Sequence, residues 1–284
     1  MRKIILKIFN IKKIQFYISI ILTGYVLFFL SRNLNEYRFL VSELGLQTFV
    51  ILLVLSSVIH LFILPNRFWL FLKDNISGSF TFLDYLAVHT YSFLFSISPL
   101  GILGSEVNRI FNVNWDNKIK NNSKLYLLVL DRLCGLLSVL LVASYFVSIW
   151  ITLFLIISTL ALILVTNHIH DKSISIKRWL GIFFLSAFGF LIYANQINIL
   201  IGGFLPDILF YESLLISALL IISAIIPFSF LGLSIREIAF QQILIVLGLS
   251  DSLAMKIAIM VILSDLIVNL VYLTLQRASR IYKK

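Results

Sequence analysis

The fold class follows from residues 125–166, which read LYLLVLDRLCGLLSVLLVASYFVSIWITLFLIISTLALILVT. This run contains two charged residues, Asp131 and Arg132, and no proline. One helix needs about 20 apolar residues to cross the hydrocarbon core of a bilayer, so the run is too long for a single crossing. We predict two membrane-spanning helices joined by a tight turn near residues 148–151.

The composition of the whole chain agrees with a membrane protein. Of its 284 residues, 60% are hydrophobic and 13% are charged, and the mean hydropathy is +1.03. A soluble globular protein holds about 45–50% apolar and about 25% charged residues. These values argue against a soluble enzyme, a disordered chain and a nucleic-acid module. We therefore predict an all-α, polytopic integral membrane protein in which residues 1–284 form one transmembrane domain.

Further apolar segments complete the predicted set of eight. Full crossings are expected at residues 14–30, 44–64, 180–194 and 253–275, in addition to the two in the long run. We interpret residues 14–30 as a retained span, because the run is longer than the core of a signal peptide. Pro65 is expected to end the second span. Two other apolar segments are interrupted, one near Ser98-Pro99 and one, residues 214–226, at Pro227. The prediction is about six full spans and two broken segments.

The basic residues orient these spans, because cytoplasmic loops are enriched in Lys and Arg. Eighteen of the 23 basic residues lie in the two termini and in the stretches 65–84, 105–124 and 167–179. The stretches 31–43 and 195–213 hold few or none. Both termini are therefore predicted to be cytoplasmic, in the cell (inner) membrane. The net charge of +10 is spread over five short segments, so a nucleic-acid partner is not expected.

The same count predicts two re-entrant hairpins of opposite orientation. Residues 85–104 lie between two stretches assigned to the cytoplasm, so this segment should enter and leave the membrane by that face. Residues 214–250 follow an external stretch and precede a span that runs inward, so they should enter and return on the external face. Irregular backbone at membrane depth requires protein or a water-filled cavity around it.

A similar break interrupts both hairpins. The first reads SPLGILGSEVNR (residues 98–109) and the second reads IPFSFLGLSIRE (residues 226–237). Each has a proline followed five positions later by a glycine, which together end a helix and permit a turn. Paired broken helices in two halves indicate a midplane binding site between inverted repeats. The alternative is that they only end short helices at the membrane surface. The predicted hinge residues are Pro99, Gly101, Gly104, Pro227 and Gly232.

Six charged residues near these breaks are the candidate substrate-binding residues. A charge at the bilayer centre costs at least about 2.5–3.5 kcal/mol, so such residues face a cavity or form pairs. Glu106 and Arg109 are one helical turn apart and can pair. Arg236 and Glu237 are adjacent, and each is expected to find a partner elsewhere. We predict one polar cavity that holds a lipid phosphate; the alternative is a structural ion-pair network without a ligand. The six are Glu106, Arg109, Asp131, Arg132, Arg236 and Glu237.

Other titratable residues in apolar segments are fewer. Asp265 is expected either to be a carboxylate that couples protons to transport or to pair with a buried arginine. His60 and His89 are expected to form hydrogen bonds between packed helices. His168 and His170 lie in a polar stretch without a third ligand, so no metal site and no cofactor are predicted.

These motifs resemble a known family. Pro99…Gly104-Ser105-Glu106, Asp131-Arg132-x-x-Gly135-Leu136, and Gly232-Leu233-Ser234-Ile235-Arg236-Glu237 followed by Gly248-Leu249 resemble the lysylphosphatidylglycerol synthase transmembrane region, the flippase-like family. The resemblance covers most of the chain, in order. It departs at Leu231, where the family usually carries a second glycine.

The resemblance implies a translocase rather than a synthase. In two-part members the membrane domain moves aminoacylated phosphatidylglycerol outward, and a soluble domain performs the aminoacyl transfer. The chain ends at Lys284, so the resemblance implies a form without the soluble domain. The expected function is a flippase for an anionic phospholipid, aminoacyl-phospholipid or lipid-linked sugar, with membrane lipids as partners. A head-group transferase and an accessory subunit of an envelope pathway are the alternatives, and a homo-oligomer or an envelope-biosynthesis partner is left open.

Overall fold

The computed structural model describes residues 42, 44–76, 78–96, 101–116, 121–169, 174–224, 229–230 and 233–281. From Leu44 onward these residues belong to one compact unit, Leu44–Lys284. The predicted span at 14–30 and the predicted hinges Pro99, Pro227 and Gly232 lie outside the described residues. The helices are α1 (Leu46–Leu72), α2 (Phe82–Ser96), α3 (Gly101–Asn112), α4 (Asn121–Tyr145), α5 (Ile149–Ile169), α6 (Ile176–Gly202), α7 (Phe210–Ser223), α8 (Ile235–Val246) and α9 (Asp251–Ile281).

Five of these helices are long and apolar enough to cross a membrane. They contain the segments Leu46–Leu72, Ser123–Tyr145, Ile149–Thr166, Ile176–Gly202 and Asp251–Gln276. The regular secondary structure of the described residues is helical apart from a two-residue antiparallel pairing and one isolated bridge. The predicted class, a polytopic helical membrane protein, is therefore confirmed for the described residues.

The turn predicted inside the long apolar run is also confirmed. Helix α4 ends at Tyr145 and α5 begins at Ile149. The hydroxyl groups of Ser144 and Thr152 lie 3.0 Å apart across the turn. Two antiparallel helices result, because a turn this short leaves the second helix beside the first.

Helix α1 does not end at Pro65, which corrects the prediction. A π-helical segment, Val58–Ile63, leads directly into Leu64–Leu72, and Pro65 lies in the first turn of that last part. Proline lacks a backbone N–H and its ring clashes with the carbonyl of the preceding turn of a regular α-helix. The wider π turn accommodates both problems, and such turns are frequent at functional sites. Arg67, counted above with loop charges, therefore lies inside a helix.

The other four helices are short. Helices α2, α3, α7 and α8 contain 15, 12, 14 and 12 residues. At 1.5 Å per residue they are about 18–22 Å long, less than the roughly 30 Å of a hydrocarbon core. None of the four is long enough to cross a membrane by itself.

Helices α2 and α3 form an antiparallel hairpin. Asn108 Nδ2 donates to Ser92 Oγ (2.7 Å), and Arg109 Nη2 lies 3.1 Å from His89 Nδ1. The later residue of α2 thus contacts the earlier residue of α3, which requires opposite helix directions. Of the predicted hinges, Gly104 lies within α3 and Gly101 begins it, so the described helix is continuous through both positions.

The two ends of this hairpin meet at one end of the helix bundle. Ile76, before α2, forms an antiparallel bridge with Trp115, after α3, and Asp116 N donates to Asn75 O (3.1 Å). Arg178, at the start of α6, donates to the Asp74 carboxylate (Nη2 to Oδ1, 3.2 Å). The start of α6 therefore lies at the same end as both ends of the hairpin.

Helices α7 and α8 are joined by a second chain reversal. Ser229–Phe230 pairs antiparallel with Leu233–Ser234. Helix α7 contacts α8, and α8 contacts α9. Helix α8 ends at Val246, and Gly248, two residues later, has a φ of 97° that is accessible to glycine at little cost.

Candidate functional site

Two groups of polar side chains, most of them buried, lie among the helices. The first, the arginine cluster, is formed by α1 to α4 and consists of Arg67, His89, Glu106, Arg109, Asp131 and Arg132. The second, the Asp265 cluster, is formed by α1, α6 and α9 and consists of Ser56, His60, Gln196, Ser264 and Asp265. Burying a polar group costs free energy unless it has a hydrogen-bond partner. The pairing within each cluster therefore shows which groups are left to bind a ligand.

The Glu106 carboxylate joins two arginines. Arg109, one turn later on α3, places Nη1 3.4 Å from Glu106 Oε1, which confirms the predicted pair. Arg132, from α4, donates to the same oxygen from Nε (3.0 Å) and from Nη2. The side chain of Arg132 is 45% exposed and that of Glu106 is 16% exposed, so this pair lies at the accessible edge of the cluster.

Asp131 pairs with Arg67, which the sequence did not indicate. Arg67 Nε and Nη2 donate to the two carboxylate oxygens of Asp131, both at 2.8 Å. This forked geometry is the strong form of an arginine–carboxylate pair. Gly135, one turn after Asp131, makes the contact feasible, because a Cβ there would lie 2.8 Å from Arg67 Nη1. The only sequence signal for Arg67 was a charge two residues after Pro65.

Arg109 is held by two further groups. Its Nη2 lies 3.1 Å from His89 Nδ1. Because a guanidinium only donates, Nδ1 accepts and the His89 ring is neutral with its proton on Nε2. The guanidinium also lies over the Phe68 ring, 5.7 Å from the centroid, a favourable cation–π position. The predicted hydrogen-bonding role of His89 between packed helices is confirmed.

The arginine cluster carries one surplus positive charge. Three arginines face two carboxylates, and His89 is neutral. Three buried atoms here have no hydrogen-bond partner among the described residues, namely Tyr85 Oη, Glu106 Oε2 and Arg109 Nε. A buried unpaired polar group costs about 1–3 kcal/mol. The surplus charge and the free Nε–H of Arg109 are features that a ligand with one negative charge would satisfy.

Arg236 and Glu237 pair with each other, which corrects the expectation that each finds a partner elsewhere. Arg236 Nε donates to Glu237 Oε1 (2.5 Å), and the Glu237 side chain is 3% exposed. The long arginine side chain reaches back to its neighbour, and a buried carboxylate without a cation would be strongly destabilising. The guanidinium also interacts electrostatically with Asp265 and Tyr193. Arg236 and Glu237 thus lie beside the Asp265 cluster.

Asp265 has a histidine as its direct partner. His60 Nε2 lies 3.1 Å from Asp265 Oδ1, and Ser56 Oγ donates to the same oxygen (2.8 Å). Gln196 Nε2 donates to Ser56 Oγ (2.8 Å) and Ser264 Oγ (3.2 Å). A buried arginine was one of the two expected roles for Asp265, and Arg236 acts on the carboxylate only at longer range. The π-helical segment of α1 therefore supplies the histidine of this cluster.

His60 also connects the two clusters. Its ring packs edge-on against Phe93 of α2, with centroids 4.8 Å apart, and α2 carries His89. Among the described residues, no group of three or more His, Cys, Asp or Glu side chains is placed to hold a metal ion.

No protein-family profile, curated protein or solved structure matches the chain. The resemblance to the flippase-like family therefore stays a prediction from the motifs. One motif has a physical explanation in the contacts, because Asp131 and Gly135 both accommodate Arg67.

Proposed function

We propose that the chain is a lipid flippase of the flippase-like family, in which the anionic head group of a lipid contacts the arginine cluster while the acyl chains remain in the bilayer. The observation that carries this proposal is the surplus positive charge of the cluster, three arginines against two carboxylates. A phosphodiester head group carries one negative charge and would balance it.

Arginine chemistry supports a phosphate ligand. The planar guanidinium binds phosphate oxygens through two parallel hydrogen bonds. Arg132 is the accessible arginine of the cluster, with a side chain that is 45% exposed, and it would meet the head group first. Arg109 lies deeper, with one unpaired N–H, and would receive it next. Glu106 connects the two positions through a single oxygen.

The short helices support a path for the head group. We propose that α2 and α3 form a re-entrant hairpin on the cytoplasmic face and that α7 and α8 form one on the external face. The pairing of Ile76 with Trp115 returns the first hairpin to the end where α6 begins, beside Lys177 and Arg178. Each of these two helix pairs then enters and leaves the membrane by the same face. The full spans alternate in direction, which leaves the basic stretches and both termini on the cytoplasmic side.

Leaflet exchange in proteoliposomes tests this function. A fluorescent phosphatidylglycerol analogue is placed in the vesicles, and bleaching by an impermeant reductant reports the fraction that changes leaflet. We expect exchange with the wild type and a reduction of at least tenfold with Arg109→Gln. Arg178→Gln is the matched control, because Arg178 pairs with Asp74 outside the cluster, and it should exchange lipid like the wild type.

Two results would contradict the proposal. One is equal exchange by Arg109→Gln and the wild type. The other is a lower abundance of Arg109→Gln in the membrane while its lipid exchange rate per folded molecule equals that of the wild type. That result would indicate a structural ion-pair network. Chemical conversion of the labelled lipid would favour a head-group transferase, and inactivity without a second protein would favour an accessory subunit.

A further inference from the structure

Three buried polar atoms in and beside the arginine cluster have no hydrogen-bond partner among the described residues. They are the Tyr85 hydroxyl, the Nε–H of Arg109 and the second carboxylate oxygen of Glu106, Oε2. Tyr85 is 0% and Arg109 is 8% exposed, and the Glu106 side chain is 16% exposed. A buried polar group without a partner costs free energy, so the three atoms together describe the hydrogen bonds that a ligand could supply.

Tyr85 belongs to the same site as Arg109. It lies one turn before His89 on α2, with the two ring centroids 6.1 Å apart, and His89 contacts the Arg109 guanidinium. The centroid of the Phe68 ring lies 5.6 Å from that of Tyr85 and 5.7 Å from Arg109 Cζ. Tyr85 and Arg109 also interact electrostatically with each other. The Tyr85 hydroxyl is therefore a further polar group of this site, which the sequence did not indicate.

The unpaired atoms require two kinds of group in one ligand. Arg109 Nε can only donate and the Tyr85 hydroxyl can donate, so the oxygens of a phosphodiester would satisfy both. Glu106 lies between two arginines as a carboxylate, and a carboxylate only accepts. The ligand must therefore also bring a donor to Glu106 Oε2. A phosphodiester without any donor would leave that oxygen unpaired.

The charge of the site decides which donor suits Glu106. A hydroxyl and an ammonium can both donate to a carboxylate. The carboxylate already faces Arg109 and Arg132, and the whole cluster has one positive charge in excess. The single negative charge of a phosphodiester balances this excess, whereas an ammonium on the same ligand would restore it beside two like charges. A neutral hydroxyl supplies the donor without adding charge.

We propose that the arginine cluster recognises a phosphodiester head group that carries a free hydroxyl, such as a polyol, and discriminates against head groups that carry an amine. The phosphodiester oxygens accept from Tyr85 and Arg109, and the head-group hydroxyl donates to Glu106 Oε2. Access is beside Arg132, whose side chain is 45% exposed. That the phosphodiester belongs to a lipid rests on the proposed function, whereas the pattern of donors and acceptors does not.

Three lipids with the same acyl chains test this recognition. Phosphatidylglycerol has one negative charge and a free hydroxyl, phosphatidylethanol has the same charge and no hydroxyl, and phosphatidylethanolamine has an ammonium and no net charge. Native mass spectrometry of the purified full chain in detergent gives the affinity for each lipid. We expect phosphatidylglycerol to bind at least about tenfold more tightly than either of the others, because each of those leaves a buried group unpaired or a charge unbalanced.

This comparison uses the wild type, so it does not depend on the folding of any variant. Equal affinities for phosphatidylglycerol and phosphatidylethanol would overturn the role of the hydroxyl. Binding of phosphatidylethanolamine as tight as that of phosphatidylglycerol would overturn the discrimination against amines.

Tyr85→Phe tests the contact with the phosphodiester. The variant removes a buried hydroxyl that has no partner among the described residues, so the unfolding midpoint should not fall. We expect its affinities for phosphatidylglycerol and phosphatidylethanol to fall by the same factor, about tenfold, because both lipids lose the same bond. Tyr145→Phe, on a side chain that is 69% exposed, is the matched control and should bind both lipids like the wild type. Unchanged affinities in Tyr85→Phe would contradict the proposed contact.

Glu106→Gln tests the contact with the hydroxyl. The amide nitrogen replaces one carboxylate oxygen and is a donor, so the preference for phosphatidylglycerol over phosphatidylethanol should disappear. Retention of the full wild-type preference in folded Glu106→Gln would contradict the assignment of Glu106 Oε2.

A soluble competitor distinguishes a lipid from a free phosphodiester. Glycerophosphoglycerol, the head group without acyl chains, should displace phosphatidylglycerol only at a much higher concentration. Displacement at an equal concentration would support the recognition and contradict a lipid ligand. Selective binding of phosphatidylglycerol without leaflet exchange would contradict the flippase and leave the recognition standing. Leaflet exchange of phosphatidylglycerol and phosphatidylethanol with equal affinities would do the opposite.

Discussion

Arg67, Asp131 and Gly135 form a unit whose parts come from two helices. Asp131 and Gly135 are one turn apart on α4, so the carboxylate binds the guanidinium and the missing side chain leaves room for it. Leu136 follows directly in the sequence. The motif Asp131-Arg132-x-x-Gly135 can thus be explained by packing around Arg67, while Arg132 extends to Glu106.

Gly135→Ala tests this explanation. The added Cβ would lie 2.8 Å from Arg67 Nη1, so the buried pair must shift, and we expect destabilisation of about 1–3 kcal/mol, as for other overpacked sites. Thermal unfolding of the purified protein measures it. Gly202→Ala is the control, because nothing lies within 4 Å of a Cβ there. Equal stability of the two variants would contradict the explanation.

Asp131→Asn tests the charge of the pair. Arg67 would remain buried without its anion, which typically costs about 3–5 kcal/mol. We expect a lower unfolding midpoint or reduced membrane abundance, whereas Asp207→Asn on an exposed loop should behave like the wild type. The double variant Arg67→Met with Asp131→Leu should recover most of the stability, since an apolar replacement of a buried ion pair is often neutral. Failure of the double variant to recover would indicate a further role for Arg67.

Part of the site could be predicted from spacing alone. Glu106 and Arg109 lie on one helix one turn apart, and such pairs meet regardless of the tertiary structure. Arg67 could not be paired with Asp131, because the contact requires α1 to continue beyond Pro65. The pairing of Arg236 with Glu237 was also missed, because neighbouring helix positions point apart and only a long side chain overcomes that.

The helices themselves were easier to predict than their ends. Length and hydropathy were sufficient for α4, α5 and α9, because lipid imposes both on any spanning helix. The end assigned at Pro65 was wrong, because proline ends a regular α-helix but is accommodated by the π-helical segment Val58–Ile63. Proline and glycine predicted the two breaks; Pro99, Pro227 and Gly232 lie outside the described residues, and the described helices on either side are short.

A disulfide between the ends of the first hairpin tests its geometry. Residues paired in an antiparallel bridge have Cα atoms about 4.5–5.5 Å apart, within the range that a disulfide needs. With Cys134 replaced by Ser, we expect Ile76→Cys and Trp115→Cys to cross-link on mild oxidation, as measured by intact mass. Ile76→Cys with Phe111→Cys, on the exposed side of α3, should stay reduced. The reverse pattern would show that the hairpin ends do not meet.

The two clusters are connected at the scale of the whole molecule. The arginine cluster has one positive charge in excess, and the His60 ring of the Asp265 cluster packs against Phe93 of α2, the helix that carries His89. An anionic head group at the arginine cluster would balance its charge. Composition could predict the membrane class, whereas this arrangement depends on tertiary contacts between distant helices.

The most direct test of the account is the sidedness of the two breaks. Single cysteines are placed at Ser98 and Ser229 in a Cys134→Ser background and labelled with an impermeant maleimide in intact cells and in inside-out vesicles. Ser79→Cys and Asp207→Cys, on exposed loops, mark the two faces. We predict that Ser98→Cys labels from the same face as Ser79→Cys, and Ser229→Cys from the same face as Asp207→Cys. Labelling of both breaks from one face, or of neither in permeabilised membranes, would contradict the paired re-entrant hairpins.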